Sequence, residues 1–277
     1  LYTGGQRLEE LEEGLREAMP PNAEGRSLLV RVLSADSEPT PVDVEGWEMR
    51  LGGVLARSTG CRVSAENPGL LVQVLLAGGL AFAGLWVCDS GYRELQSRAP
   101  ARRLFFHPST LKPKLARCMA NLARLRRGEV AMDPFCGAGG IVMECSLLGA
   151  RMVGMDVQRR MLRGTRKNLW WAGAEALGLI HGDARSIPAR GLNAIITDPP
   201  YGRLSSTGGV ESASLITEFL YNACDALKPG GYLVTLAPSE MGLEEEAEKS
   251  GLELLESYYI YVHGGLTRGL YVLRSHS

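Results

Sequence analysis

Residues Leu192 to Tyr201 read LNAIITDPPY. An apolar run of strand length meets an acid, two prolines and an aromatic ring. Each proline lacks an N–H and holds φ near −65°, and a proline drives the residue before it toward extended backbone. The run Leu192 to Thr197 therefore predicts a buried strand whose end is stiff. The carboxylate of Asp198 and the carbonyls of Asp198 and Pro199 become fixed acceptors, Pro200 stiffens the exit, and Tyr201 adds a flat face beside them. A planar ring carrying an amino group fits such a strand end. The plainer alternative is a Pro-Pro turn that happens to hold a tyrosine.

The pattern around this stretch alternates strand and helix. Strands are predicted at 130–133, 151–156, 177–181, 192–198, 232–236, 254–262 and 270–273. Helices are predicted at about 140–148, 159–172, 212–227 and 242–250. A further helix precedes them, capped by Ser109 or Thr110, with Pro113 in its first turn and Leu111, Leu115, Met119 and Leu122 on one face. Seven strands interleaved with helices predict an α/β fold, a doubly wound sheet.

Three other strand ends carry an acid or a glycine-rich turn. Asp133-Pro-Phe-Cys-Gly-Ala-Gly-Gly140 follows a strand and opens a helix, so Gly137 and Gly139 can let a ligand approach backbone N–H groups. Asp156 ends the next strand, 23 residues after Asp133, where an acid can take both hydroxyls of a ribose. Gly182-Asp183-Ala184 ends the third strand, where an acid can accept an adenine amino group. Open α/β sheets bind ligands at this edge.

The first third of the chain is different. Leu8, Leu11, Leu15 and Met19 lie at helical spacing, and Pro20-Pro21 stop that helix. Leu28 to Leu33 predicts a strand, and Trp47 to Ser58 a helix. Leu70 to Val87 is uncharged over 18 residues, the length of a membrane span. Gly78-Gly79 at its middle instead predicts a hairpin of two buried strands. This is a small α+β module over residues 1–91. Ser90 to His107 is polar, with Arg93, Arg98, Arg102 and Arg103, and reads as a linker over 92–107 ahead of a domain over 108–277. The four tryptophans, Trp170 and Trp171 among them, read mainly as packing.

The net charge is −1, but it is unevenly spread. Residues 1–92 carry 7 Lys/Arg against 13 Asp/Glu, residues 93–167 carry 16 against 5, and residues 168–277 carry 7 against 13. A basic middle is what a phosphate-contacting surface on a neutral protein looks like; solvated helix faces would give the same count. Six cysteines show neither CxxC pairs nor Cys/His clusters, so neither a disulfide framework nor a metal site is expected, and a reducing cytoplasm is the simplest setting. No signal peptide is read ahead of the fold. The chain begins at Leu1, so an N-terminal piece is expected to be missing.

DPPY resembles the motif of S-adenosylmethionine-dependent amino methyltransferases, which modify exocyclic amines of nucleobases. The resemblance implies a class I methyltransferase fold with an antiparallel seventh strand, and S-adenosylmethionine as methyl donor with S-adenosylhomocysteine as product. It implies that Asp133, Cys136, Gly137 and Gly139 hold the methionine end, Asp156 and Val157 the ribose, and Asp183 with Ala184 the adenine. His107 and Ser109 occupy the place of an N-terminal cofactor motif; a core histidine beside a helix cap is the alternative. Asp198, Pro199, Pro200 and Tyr201 would hold the base, and Asp198 would border the cofactor too.

Residues 1–91 resemble a THUMP domain, an RNA-binding module of tRNA-modifying enzymes. Joined to FFHPSTLKPKLARCMANLAR (residues 105–124) and DPPYGR (residues 198–203), they resemble archaeal tRNA guanosine-10 N2-methyltransferases. Relatives that act on guanosine 6 of tRNA, or on 23S rRNA, usually carry Asn where this chain has Asp198. The resemblance implies tRNA as partner, no membrane, and a monomer giving mono- or dimethylated guanine N2. RNA contacts are expected at Arg93, Arg98, Arg102, Arg103, Arg203 and Arg268. A DNA amino methyltransferase and a non-catalytic RNA-binding subunit are the competing readings.

Overall fold

The computed structural model describes residues 2–20, 22–35, 42–88, 91–200, 209–263 and 266–276, with the backbone alone for 209–213, 262–263 and 266. Tyr201 and Arg203 lie outside the described residues. The chain divides into two compact units, Leu1–Ser90 and Gly91–Ser277.

The first unit runs β1 (Tyr2–Gly5), α1 (Leu8–Ala18), β2 (Ser27–Ser34), α2 (Val44–Thr59), β3 (Arg62–Val63), β4 (Leu70–Ala77) and β5 (Leu80–Leu85). Its five strands lie in the order β1-β5-β4-β2-β3. Alternate residues of β2 and β4 point inward, Leu28, Val30 and Val32 beside Leu70, Val72, Val74 and Leu76. They share one cluster with Leu11 and Leu15 of α1 and Leu51 and Leu55 of α2. The uncharged stretch is indeed a hairpin: Ala77 pairs with Leu80, and Gly78 and Gly79 turn it with φ of 56° and 78°, a left-handed pair that side chains disfavour. Helix α2 starts three residues before the sequence predicts. Asp43 precedes it and accepts a hydrogen bond from the Gly46 N–H at 3.0 Å, a cap that satisfies an otherwise orphaned donor. Strand β1, half glycine, was not anticipated. Among the described residues no helix is long and apolar enough to cross a membrane.

The second unit opens with α3 (Tyr92–Ser97), a 3-10 turn at Pro100–Arg102 and α4 (Pro113–Leu122). Then come β6 (Val130–Asp133), α5 (Gly140–Leu147), β7 (Arg151–Asp156), α6 (Arg159–Ala172), β8 (Gly178–His181) and β9 (Leu192–Thr197). The chain continues through α7 (Gly209–Ala226), β10 (Leu227–Pro238), a 3-10 turn at Ser239–Met241, α8 (Leu243–Lys249), β11 (Leu252–His263) and β12 (Leu266–Ser275). The sheet order is β11-β12-β10-β9-β6-β7-β8. The neighbours from β10 to β8 are parallel, and β12 runs antiparallel to both β10 and β11. Successive strand residues serve opposite layers. Ala131, Ala194, Val234 and Val272 face the cluster built with α4 and α5. Met132, Ile195, Leu233 and Leu273 face the one built with α7 and α8.

Three expectations need correction. The segment read as a linker is folded into the second unit as α3 and the 3-10 turn, and Arg98 and Arg103 are 7% and 6% exposed. Neither Ser109 nor Thr110 caps α4, which begins at Pro113 behind Lys112 with no side-chain cap. Pro113 fixes the first helical φ and forces Lys112 extended, so both hydroxyls fall too early. Trp170 is not packing: it is 78% exposed, because the solvent face of α6 runs through Arg159, Arg163, Arg166 and Lys167 to that position.

Candidate active site

The site is assembled where the sheet changes direction, between β6 and β9. Asp133 ends β6 and is 1% exposed. Its Oδ1 accepts from Thr197 Oγ1 of β9 at 2.7 Å and from the Phe135 N–H at 3.2 Å. Asp133 therefore ties the two switch-point strands together and starts the glycine-rich loop. Burial pushes its carboxyl up to about 7, partly opposed by those two hydrogen bonds and reinforced by Asp198 and Asp156. A buried carboxylate is disfavoured against its neutral form.

The loop from Pro134 to Gly139 is held from several sides. The Cys136 N–H donates to the Met155 carbonyl at 2.8 Å, and the Gly137 N–H donates to Asp156 Oδ2 at 3.0 Å. From α6, Thr165 Oγ1 donates to the Gly137 carbonyl at 2.7 Å and Asn168 Nδ2 to the Ala138 carbonyl at 2.9 Å. Gly139 sits at φ 79°, and a Cβ there would lie 2.5 Å from the Thr165 methyl, so glycine is required by angle and by space. Cys136 is buried, and burial pushes its thiol up. Its side chain packs, and its carbonyl accepts from the Gly139 N–H at 2.8 Å.

Asp156 has its second oxygen bonded by the Gln158 N–H at 2.7 Å. The carboxylate is half-buried and each oxygen keeps a further lone pair, so ribose hydroxyls can still be accepted there. Val157 beside it is 57% exposed, and its carbonyl is joined to His181 Nε2 at 2.9 Å. Asp183 follows β8. Arg185 grips it, with Nη2 to Oδ2 at 2.6 Å and Nε to both oxygens at 3.1 Å, which holds this carboxyl below the usual range. Ala184 next to it is 2% exposed. His107 and Ser109 meet each other, Nδ1 to Oγ at 2.7 Å.

Asp198 leaves the end of β9. Its carboxylate is paired with the guanidinium of Arg268, which stands on β12 opposite Pro238 of β10. Both side chains are about four-fifths buried, at 17% and 20% exposure. Arg268 thus belongs with the acid of the motif. Pro199 is buried and Pro200 exposed.

Sequence reasoning missed Asn168. It is fully buried and brackets Phe105, accepting from its N–H at 2.8 Å and donating to its carbonyl at 2.9 Å. Phe105 in turn packs against Gly164, where a Cβ would come within 2.0 Å of the ring. Helix α6 thereby fastens the segment carrying His107 to the glycine-rich loop. An NxxxG-type spacing read backward from Asn168 to Gly164 was the only sequence signal. Glu144 of α5 was missed too. Fully buried, it accepts from Arg98 at 2.8 and 3.0 Å and from Arg117 at 2.9 Å. Two of the sixteen cations of the basic middle, Arg98 and Arg117, are spent on it.

Four acids at adjoining strand ends, a glycine-rich turn into α5 and an antiparallel strand inserted before the edge define the class I methyltransferase fold. Comparison with known proteins agrees. Residues 100–268 match the family model described as RMKL-like, methyltransferase domain (UPF0020), and the chain belongs to that methyltransferase family. Among its relatives is the tRNA (guanine(10)-N2)-dimethyltransferase of Methanothermobacter thermautotrophicus, 36% identical over 84% of this chain and 69% of that protein. The protein of the same name from Methanocaldococcus jannaschii is 33% identical over 91% and 71%. The tRNA (guanine(6)-N2)-methyltransferase of Thermus thermophilus is 32% identical over 69% and 57%. Among solved structures, TrmN from Thermus thermophilus superposes with a TM-score of 0.57 at 26% identity, over 99% of this chain and 81% of that one. A methyltransferase from Pyrococcus furiosus gives 0.52 at 20% identity over 67% and 98% and supports the fold. The chain is an enzyme of the methyltransferase class, and its fold and family are those that use S-adenosylmethionine.

Proposed function

We propose that this protein transfers a methyl group from S-adenosylmethionine to the exocyclic N2 of a guanosine in tRNA, at position 10, and that it goes on to the dimethylated base. The observation that carries the reading is the Asp198 carboxylate, held by Arg268 at the switch point of the sheet beside the loop that would take the donor. The position rests on the archaeal relatives, which match over most of the chain, and on Asp198 standing where guanosine-6 enzymes usually carry Asn.

Bound S-adenosylmethionine supplies a methyl on a sulfonium, already a strong electrophile, so the protein's task is positioning. The residues present fit it. Gly137 and Gly139 keep the loop backbone open, Asp156 takes ribose hydroxyls, and Asp183 with the backbone at Ala184 takes the adenine once Arg185 shares its carboxylate. Cys136 and Val157 line this path through their main chain, and His107 with Ser109 closes it from the preceding segment. Asp198 and the Pro199 carbonyl accept the two N–H groups of the guanine amine and turn its lone pair toward the methyl. Methylation of that nitrogen would free a proton there, which Asp198 or water would accept. Tyr201 stacks the base, worth about 1–3 kcal/mol, after it leaves its helix.

tRNA backbone charge meets exposed cations. Arg93, Arg102 and the α6 row of Arg159, Arg163, Arg166 and Lys167 are exposed, with Trp170 at the end of the row as a stacking face. Arg203 extends the motif. Arg98 and Arg103 are withdrawn from this role by burial. Residues 1–90 act as the THUMP-like RNA-binding unit, and the enzyme works as a cytoplasmic monomer without metal.

The test is to incubate the protein and labelled donor with unmodified tRNA, a guanosine-10 variant and duplex DNA, then identify the methylated nucleoside. N2-methyl- and N2,N2-dimethylguanosine should form only with guanosine 10 present. Transfer that survives its loss points to guanosine 6, and transfer to DNA alone sinks the tRNA reading. Asp198→Ala should abolish transfer while S-adenosylhomocysteine still binds.

A further inference from the structure

We infer that the cleft between the C-terminal end of α6 and β8 takes an unpaired nucleotide of the bound tRNA, with its base stacked on Trp170. This nucleotide is a second one, besides the nucleotide that is methylated. The inference rests on the proposed tRNA substrate and deepens it.

Trp170 and Trp171 stand side by side at the end of α6 and part company there. Trp171 packs against the core cluster built with α4 and α5, whereas Trp170 is 78% exposed. Among the described residues the Trp170 ring has no aromatic partner and no cation over its face. A single exposed apolar side chain is ordinary on a surface; what surrounds this one is not. It borders a cleft of about 560 Å³, within the range of about 300–1,000 Å³ that ligand clefts span. Leu169, Ala174 and Leu179 give the cleft apolar walls, and Arg166 and Glu175 add one charge of each sign. A Cβ on Gly173, also in the lining, would meet no atom within 4 Å, so the space is open.

Charge says which kind of flat ring belongs there. Arg163, Arg166 and Lys167 lie one and two turns back from Trp170 on the same side of α6, and all three are exposed. Such a row neutralises a phosphate backbone. The Glu175 carboxylate instead turns phosphate away and accepts from the N–H edge of a base. A simple anion satisfies only the cations, and an apolar peptide only the walls; a nucleotide satisfies both. The base must be unpaired, because bases inside a duplex are already stacked on both faces. Distance makes it a second nucleotide. Arg159 opens α6 three residues after Asp156, and Trp170 lies roughly 16 Å farther along the helix axis. A base on Trp170 is at the far end of α6 from the donor site, so it is not the base presented to Asp198.

The test is the binding of the intact protein to unmodified tRNA and to a long RNA duplex, each read over a range of salt. Trp170→Ala should weaken tRNA binding about 5- to 100-fold, the stacking of one base. The salt slope should not change, because no phosphate contact is lost. Affinity for the duplex, in which only the terminal bases are free to stack, should stay as it was. Trp170→Phe should bind tRNA within roughly threefold of the wild type, since a ring still stacks. It should nonetheless lose most of the drop in intrinsic fluorescence that tRNA causes in the wild type. Trp170→Ala that binds tRNA as the wild type does overturns the site alone. A loss shared equally by the duplex, a reduced salt slope, or a Trp170→Phe as weak as Trp170→Ala overturns it too. Both variants should keep the wild-type melting temperature and S-adenosylhomocysteine binding; loss of either makes the ring structural and overturns the site. Wild type that binds neither RNA overturns the tRNA reading and the site together.

Discussion

Asp133 shows how one side chain can serve the fold and be costly to it. Its carboxyl, pushed up to about 7 chiefly by burial, holds a proton in the folded chain between pH 4 and 7 that it lacks unfolded. Stability from this group is therefore fullest at low pH and is lost as pH rises through about 7. Asp133→Asn keeps an oxygen for Thr197 and Phe135 and removes the charge. Its melting temperature should gain on the wild type by several degrees between pH 5 and pH 8; a gap independent of pH would sink the assignment. The sequence marks Asp133 as a ligand-facing acid, because it ends a strand before a glycine-rich turn. It gives no sign that Thr197, 64 residues away, is the partner that draws it inward. Asp198 is similar. Its motif names the acid, and only the fold pairs it with Arg268. Arg268→Gln should lower the methylation rate about 10- to 100-fold, the cost of a misplaced group, with KM for tRNA little changed. A raised KM at unchanged rate would return Arg268 to tRNA binding.

At the scale of elements, α6 does three things at once. Its inner side holds the loop and Phe105 through Thr165 and Asn168, Gly164 gives room for the Phe105 ring, and its outer side carries the cations. Asn168→Ala leaves the Phe105 N–H and the Ala138 carbonyl without their partner, so urea denaturation should show a loss of about 2–4 kcal/mol, with weaker S-adenosylhomocysteine binding. A loss under about 1 kcal/mol would show that the segment is held by other means. The strands of the second unit, the hairpin of the first and the long helices were legible because they are apolar runs or clear 3.6-residue rows; β1 and β3 are too short and too poor in apolar residues to read that way. Helix α3 was not: YRELQS has no fully buried residue, and a short polar turn beside four arginines looks like linker. Arg98 and Arg103 were misplaced for the same reason, since the acid that draws Arg98 inward, Glu144, lies 46 residues on.

The whole chain is two separately cored units, and charge divides differently from them. The arginines counted as one basic middle split into a small inward set around Glu144 and a larger exposed set, four of which stand on α6. Composition cannot make that split, because it depends on which helix face meets α5. Replacing Arg163, Arg166 and Lys167 by Gln should lower the salt dependence of tRNA binding by about 0.9 in logarithmic slope for each phosphate they no longer neutralise. S-adenosylhomocysteine binding should stay as it was; an unchanged slope places the tRNA elsewhere.

Strand β12 sits between β10 and β11 although it comes after both in the chain. The sheet therefore cannot be completed in the order in which it is made. Once β10 is seated, β11 has no neighbour to pair with until Leu266–Ser275 has slotted in between. Until then two strand edges stand open, and a sticky intermediate is protected only by how quickly the last piece arrives.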